Sequence, residues 1–177
     1  MFLKAFGFYW GVSGVIIILL FAIIRLSIRV IDMLSYPLSL LQWLALIMFA
    51  LYMAYAEGYK GFHLNFAPRV IARAKYFLLE NGLNNFKFIF FAPLFCMGYI
   101  HATKKRKLIS MLLTVAIIIL VLLVCLLPQP WRGIVDVGVV LGLFLGVTSI
   151  VYFWVLSTKD EWVSPVAPDF PDKDLES

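Results

Sequence analysis

Four uncharged runs, each at least 20 residues long, alternate with short charged stretches: Ala5–Ile24, Met33–Ala56, Leu108–Leu127 and Val137–Leu156. A hydrocarbon layer about 30 Å thick is crossed by about 20 helical residues rising 1.5 Å each, so every run is long enough to span. The runs predict an all-α fold, a polytopic transmembrane helical bundle with spans at about 5–24, 33–56, 108–127 and 133–156. In Leu108–Leu127, fifteen of the twenty residues are Leu, Ile or Val. Each contributes about −0.3 to −0.6 kcal/mol to insertion near a helix centre. Pro128 and Pro130 stop that helix and start the next, because proline suits a first turn and not an interior. The link Gln129–Arg132 is short and predicts an antiparallel helical hairpin.

The stretch 86–102 is different. Its uncharged part, Phe88–Ile100, holds thirteen residues with Pro93 near the middle. That length fits a re-entrant segment better than a span, although a tilted fifth span is the alternative. Charge separates the two. Five spans divide the fifteen basic residues seven to eight. Four spans leave Arg25, Arg29 and Arg132 on one side and the other twelve opposite. Lys and Arg in short loops stay cytoplasmic, so the sequence predicts four spans with both termini in the cytoplasm.

Between the second span and that stretch, Pro68 suits a helix start and Gly82 its C-terminal cap. Over about 68–81, Val70, Ile71, Ala74, Phe77 and Leu78 form one apolar stripe. Arg69, Arg73, Lys75 and Glu80 lie largely away from it. The expectation is a basic amphipathic helix lying in the headgroup plane. With Lys60, Lys104, Lys105, Arg106 and Lys107 it would make a cationic collar, a candidate contact for anionic lipid headgroups. The plainer account is that these charges only set topology. Residues 158–177 are acidic, so the region from Ser157 to Ser177 carries net −4 against +9 for the rest. Its three prolines and low hydrophobicity predict a disordered cytoplasmic tail.

Composition agrees with the membrane class: 63% of residues are hydrophobic and 14% charged, against about 25% charged in soluble domains. No region reads as a separate soluble domain. The first run is too long for a signal peptide and ends at Arg25-Leu26-Ser27 rather than at small residues, so it reads as a retained span. Cys96 and Cys125 both lie in apolar segments and read as small buried hydrophobes, not a disulfide. The basic charges border apolar runs rather than covering a soluble face, so membrane lipid, not nucleic acid, is the expected polyanion.

Candidate chemistry is sparse. Gly138, Gly142 and Gly146 recur every four residues in the last span. Gly7, Gly11 and Gly14 do nearly so in the first. Such rows let helices approach closely, and packing of the first span on the last is expected. Asp136 is the one acid near the membrane interior, and Arg132 precedes it by one turn. An ion pair between Asp136 and Arg25 or Arg29 is expected to lock those spans together. A proton or ion relay through Asp136 would need further titratable groups in the spans, which supply almost none beyond the weak candidate Gln42. Glu57-Gly58-Tyr59-Lys60-Gly61-Phe62-His63 reads as a helix stop with a sharp glycine exit through positive φ, Glu57 bonding Tyr59, Lys60 or nearby amides. His63 and His101, the two histidines, make a bis-histidine haem site conceivable only by analogy. The sequence calls for no cofactor, no metal ligand and no catalytic residue. Phosphate-loop, nucleophile-elbow and His-Glu-x-x-His motifs are all lacking.

The leading expectation is a non-enzymatic accessory, assembly or scaffold subunit of a membrane complex, acting by helix packing with a membrane partner or a second copy of itself. The alternative is a small transporter or channel-forming oligomer that uses Asp136 with Arg25 and Arg29. A membrane redox or lipid-handling protein is a third reading. The expected location is the bacterial inner membrane.

Overall fold

The computed structural model describes residues 2–79, 86–159 and 162–170. Helix α1 covers Phe2–Leu34 and α2 covers Leu40–Met53. α2 continues without a break through a π-helical segment, Ala54–Phe66, into α3 (Ala67–Lys75) and a 3-10 turn, Tyr76–Leu78. Two short helices follow, α4 (Phe86–Phe90) and α5 (Ala92–Cys96), then α6 (Lys104–Cys125) and α7 (Trp131–Leu156). The described residues contain no strand. Four helices are long and apolar enough to cross a membrane: Ala5–Leu34, Leu40–Leu78, Lys104–Cys125 and Trp131–Leu156.

α7 is the most buried of the four and the centre of the bundle. α1 runs antiparallel to it: Phe8 meets Trp154 near one end, and Met33 faces Gly133 near the other. α2 and the π-helical segment run parallel to α7, with Phe49 on Gly138, Glu57 on Gly142 and Phe62 on Gly146. The start of α6 and the ends of α3 and α7 therefore share the end that carries Lys4, Lys60 and Lys104–Lys107, called here the basic end. Val12, Val15, Val70, Ile71, Phe77, Phe95 and Ile150 form the buried core.

α4 and α5 enter and leave at that same basic end. Each is five residues, about 7 Å long, far too short to cross a bilayer. Pro93 lies in the first turn of α5, where its missing N–H costs nothing, and Phe91 forms the break between the two. Pro93 packs on Gly14 of α1 and Cys96 on Gly11, while Trp10 Nε1 donates to the Phe90 carbonyl at 3.2 Å.

Several expectations are corrected. The Glu57–His63 string is no helix stop: neither Gly58 nor Gly61 has positive φ, and the helix runs through both. The 67–75 stretch is the continuation of α2 rather than a separate helix, with Val70, Ile71, Ala74 and Phe77 packed inside the bundle. Its expected cap, Gly82, and its Glu80 lie outside the described residues. The glycines of α7 at 138, 142 and 146 meet α2 and the π-helical segment, not α1, and those of α1 meet Phe77 and α5. α6 and α7 are antiparallel but barely packed: residues 115–123 of α6 are exposed all round, and only Ser110 and Val124 of that helix are buried. Residues 162–170 are seated on the basic end, whereas a solvated tail was expected. Residues 171–177 lie outside the described set.

Candidate functional site

Three protonatable side chains line α7. Asp136, five residues in from Trp131, is 3% exposed, and its Oδ2 has no hydrogen-bond partner. Glu57, on the π-helical segment, points at Gly142, where an added methyl would lie 2.9 Å from its Oε2, and that oxygen is likewise buried without a partner. His63 Nδ1 lies 3.1 Å from Ser149 Oγ, which itself donates to the Leu145 carbonyl at 2.7 Å. Positions 142 and 149 share the side of α7 that faces α2 and the π-helical segment, about 10 Å apart along the axis. Asp136, about 9 Å from 142 toward the other end, lies instead on the side of Trp154, which meets Phe8 and Tyr9 of α1.

The π register sets Glu57 and His63 against this one side of α7. Hydrogen bonds from i to i+5 bring residues five apart onto one face, whereas an α-helix turns 100° per residue and would separate them. The Ala67 N–H accordingly donates to the Phe62 carbonyl. Glu57 and Phe62 meet Gly142 and Gly146, while Gly58 and His63 meet Leu145 and Ser149. Gly58, Tyr59, His63, Leu145 and Ser149 line an open crevice of about 150 Å³. Tyr55, Tyr59 and His63 stack along its rim, with centroids 6.2 and 5.7 Å apart.

The expected ion pair is not formed. Arg25, Arg29, Arg132 and Asp136 do sit at the same end of the bundle, opposite the basic one. Among the described residues, however, the salt bridge within 4.0 Å is Arg69–Asp169. Arg29 and Arg132 act on Asp136 only from beyond that distance, and Arg132 Nη2 turns instead to Cys125 Sγ at 3.2 Å. Gln42 serves as the helix cap: its Oε1 accepts from the Ser39 N–H at 2.9 Å. Phe77, Cys96, Pro93, Phe49, Met53, Glu57 and Phe62 fill the spaces that the six glycines leave.

A second cluster lies at the basic end. Arg73 is fully buried with no carboxylate in contact, and it donates four hydrogen bonds to carbonyl oxygens. They run from Nε to Phe95 at 2.6 Å, from Nη1 to Pro168 at 2.6 Å, and from Nη2 to Ile100 at 2.7 Å and His101 at 2.8 Å. Its guanidinium lies over the Phe95 and Phe170 rings at 4.5 and 5.0 Å. Arg69 Nε meets Asp169 Oδ2 at 3.3 Å, and Lys75 sits over Trp162. Of the expected cationic collar, then, Arg73 faces inward and Arg69 and Lys75 hold the 162–170 segment. Lys60 lies over the Tyr55 ring, Lys104, Lys105 and Lys107 are exposed, and Arg106 is half-buried. Burial pushes the Cys96 thiol up to about 12, with the Arg73 charge opposing.

Among the described residues the two histidines lie against different rings: His63 against Tyr59, Tyr152 and Phe153, and His101 against Tyr76, Phe88, Phe95 and Phe170. No group of three or more His, Cys, Asp or Glu side chains is arranged to hold a metal among the described residues. The chain matches no family model, no curated protein and no solved structure.

Proposed function

We propose that this is a four-span protein of the bacterial inner membrane that moves protons or a small cation, with Glu57 and His63 as successive binding stations on one side of α7. Asp136 is a further buried carboxylate toward the other end, on the side facing α1. The observation that carries the reading is Glu57: a carboxylate oxygen buried halfway along the bundle with no hydrogen-bond donor. Burying a carboxyl group unpaired is expensive, and intramembrane acids are kept where ions or protons pass. Buried carboxylates favour cations over anions, and His63 and Ser149 place polar groups beside an open, mainly apolar crevice on the side toward the basic end.

Topology supports the same reading. With the basic end in the cytoplasm, Lys4, the start of α6 and residues 162–170 fall on the inner side, as the bias of Lys and Arg favours. Asp136 then lies near the outer surface, Glu57 near mid-depth and His63 near the inner surface. The α4–α5 pair becomes a re-entrant hairpin.

The test is flux. Purified protein in liposomes carrying a pH-sensitive dye is expected to pass protons under an imposed potential, with Asp136→Asn and Glu57→Gln each lowering the rate at least tenfold. Flux no greater than in empty liposomes would remove the reading.

The accessory-subunit reading has one observation in its favour: α6 has no packing partner along most of its length. However, that helix is smooth Leu, Ile and Val, suited to lipid tails, whereas helix–helix contacts in membranes favour small residues. The glycine rows, which could have received an outside partner, are filled from within the chain. Stable co-purification of a defined partner in mild detergent, together with absent flux, would reverse the order of the two readings.

A further inference from the structure

Two arginines hold the 167–169 stretch at the basic end, and the charge of a third, Arg106, bears on the same carboxylate. Arg69 touches Asp169, and Arg73 holds the neighbouring Pro168 carbonyl through Nη1. The Thr103 N–H donates to the Asp169 carbonyl at 3.0 Å. Arg106, three residues further on, donates its own N–H to Thr103 Oγ1. Its charge acts on both Arg69 and Asp169, and its Nε is buried with no acceptor. Three fixed positive charges against one negative leave an excess that nothing described here neutralises.

The 162–170 segment fills this place with few strong contacts of its own. Ser164 Oγ reaches the Pro68 carbonyl at 3.4 Å, and Arg69 Nε reaches the Ala167 carbonyl at 3.4 Å. Val163 is 84% exposed. Apart from Phe170, packed on Tyr76 at 4.4 Å, and Trp162, packed against the core under Lys75, the segment is held by its acceptors: three carbonyls and a carboxylate offered to guanidinium groups and an amide. Those donors form a fork suited to a tetrahedral oxyanion, because guanidinium geometry matches phosphate and the amide opens α6, whose N-terminus favours negative charge.

We propose that Arg69, Arg73, Arg106 and the Thr103 N–H form a phosphate-binding site, closed by Asp169 of the same chain and opened when an anionic phosphate group takes its place. The position, among charges bordering the apolar helices, makes an anionic phospholipid headgroup one source and free phosphate the other. Competition is built in: phosphate and Asp169 seek the same donors, so binding one releases the other.

The test places a spin label at position 163 of the full chain in nanodiscs. With neutral phosphatidylcholine alone the label is expected to report an ordered segment. Addition of phosphatidylglycerol is expected to mobilise it. Asp169→Asn should lower the phosphatidylglycerol fraction needed by about fivefold. Arg106→Gln should abolish the response, and Arg106→Lys should largely retain it. Inorganic phosphate added to neutral nanodiscs forms the second arm, and mobilisation there assigns the site to the free ion. A label unchanged in both arms would overturn the proposal, and so would an equal response in the Arg106→Gln protein. Proton flux plays no part in the readout, so this result stands apart from the transport reading.

Discussion

Arg73 has to satisfy a fully buried guanidinium without an ion pair, and does so with four carbonyl oxygens. Hydrogen bonds to charged groups contribute about 1.5–3 kcal/mol each, and buried acceptors left unpaired cost about 1–3 kcal/mol. Arg73→Met keeps the length and removes the donors. It is expected to cost at least about 3 kcal/mol, seen as a lower unfolding temperature in detergent, with Arg73→Lys recovering part. The position was open to recognition in the sequence: residue 73 is three after Val70 and four before Phe77, on the buried stripe itself. The choice of partner was not, because carbonyls from 95, 100, 101 and 168 come together only in the fold. Cys96 offers a second check nearby. With its thiol pushed up to about 12, it is expected to resist maleimide at pH 8 while Cys125 reacts, and peptide mass spectrometry distinguishes the two.

Among the elements, the four long helices were readable from their uncharged runs, because length and composition alone decide whether a helix can cross oil. The π-helical segment was not. Its glycines and charges resemble a terminus, and what keeps it helical is the surface of α7, where Gly142 and Gly146 accept Glu57 and Phe62. That misreading hid Glu57 and His63 from the candidate stations. The register itself can be tested. Gly61 has room for a methyl, with its nearest neighbour, the Ala56 carbonyl oxygen, at 3.5 Å, so Gly61→Ala is expected to be neutral or stabilising by up to about 1 kcal/mol. Deleting residue 61 instead breaks the i to i+5 alignment. It is expected to part His63 from Ser149 and lower the unfolding temperature well beyond the alanine variant.

For the assembled bundle, the four-span topology makes a simple forecast. Alkaline phosphatase fused after Gln129 should be active outside the cell, and a green fluorescent reporter fused after Lys159 should fluoresce inside. The opposite pattern would turn the molecule over and with it the order of the stations. Charge balance in the sequence predicts this arrangement, which the two fusions test, but the sequence missed the seating of residues 162–170, whose acidity and prolines resemble those of free tails. Pairing between a basic surface and a distant acidic stretch leaves no local periodicity to read. A chain ended after Lys159 loses the acceptors of Arg69 and of Arg73 Nη1, and is expected to lose about 2–4 kcal/mol in thermal unfolding.

That seating also imposes an order of manufacture. Arg73 leaves the ribosome 95 residues before the Pro168 carbonyl that it holds. The four long helices can all be made while this guanidinium still waits for its last acceptor. Interrupted synthesis yields a bundle with one raw, positively charged face, a mark by which a protease could tell an unfinished copy from a finished one.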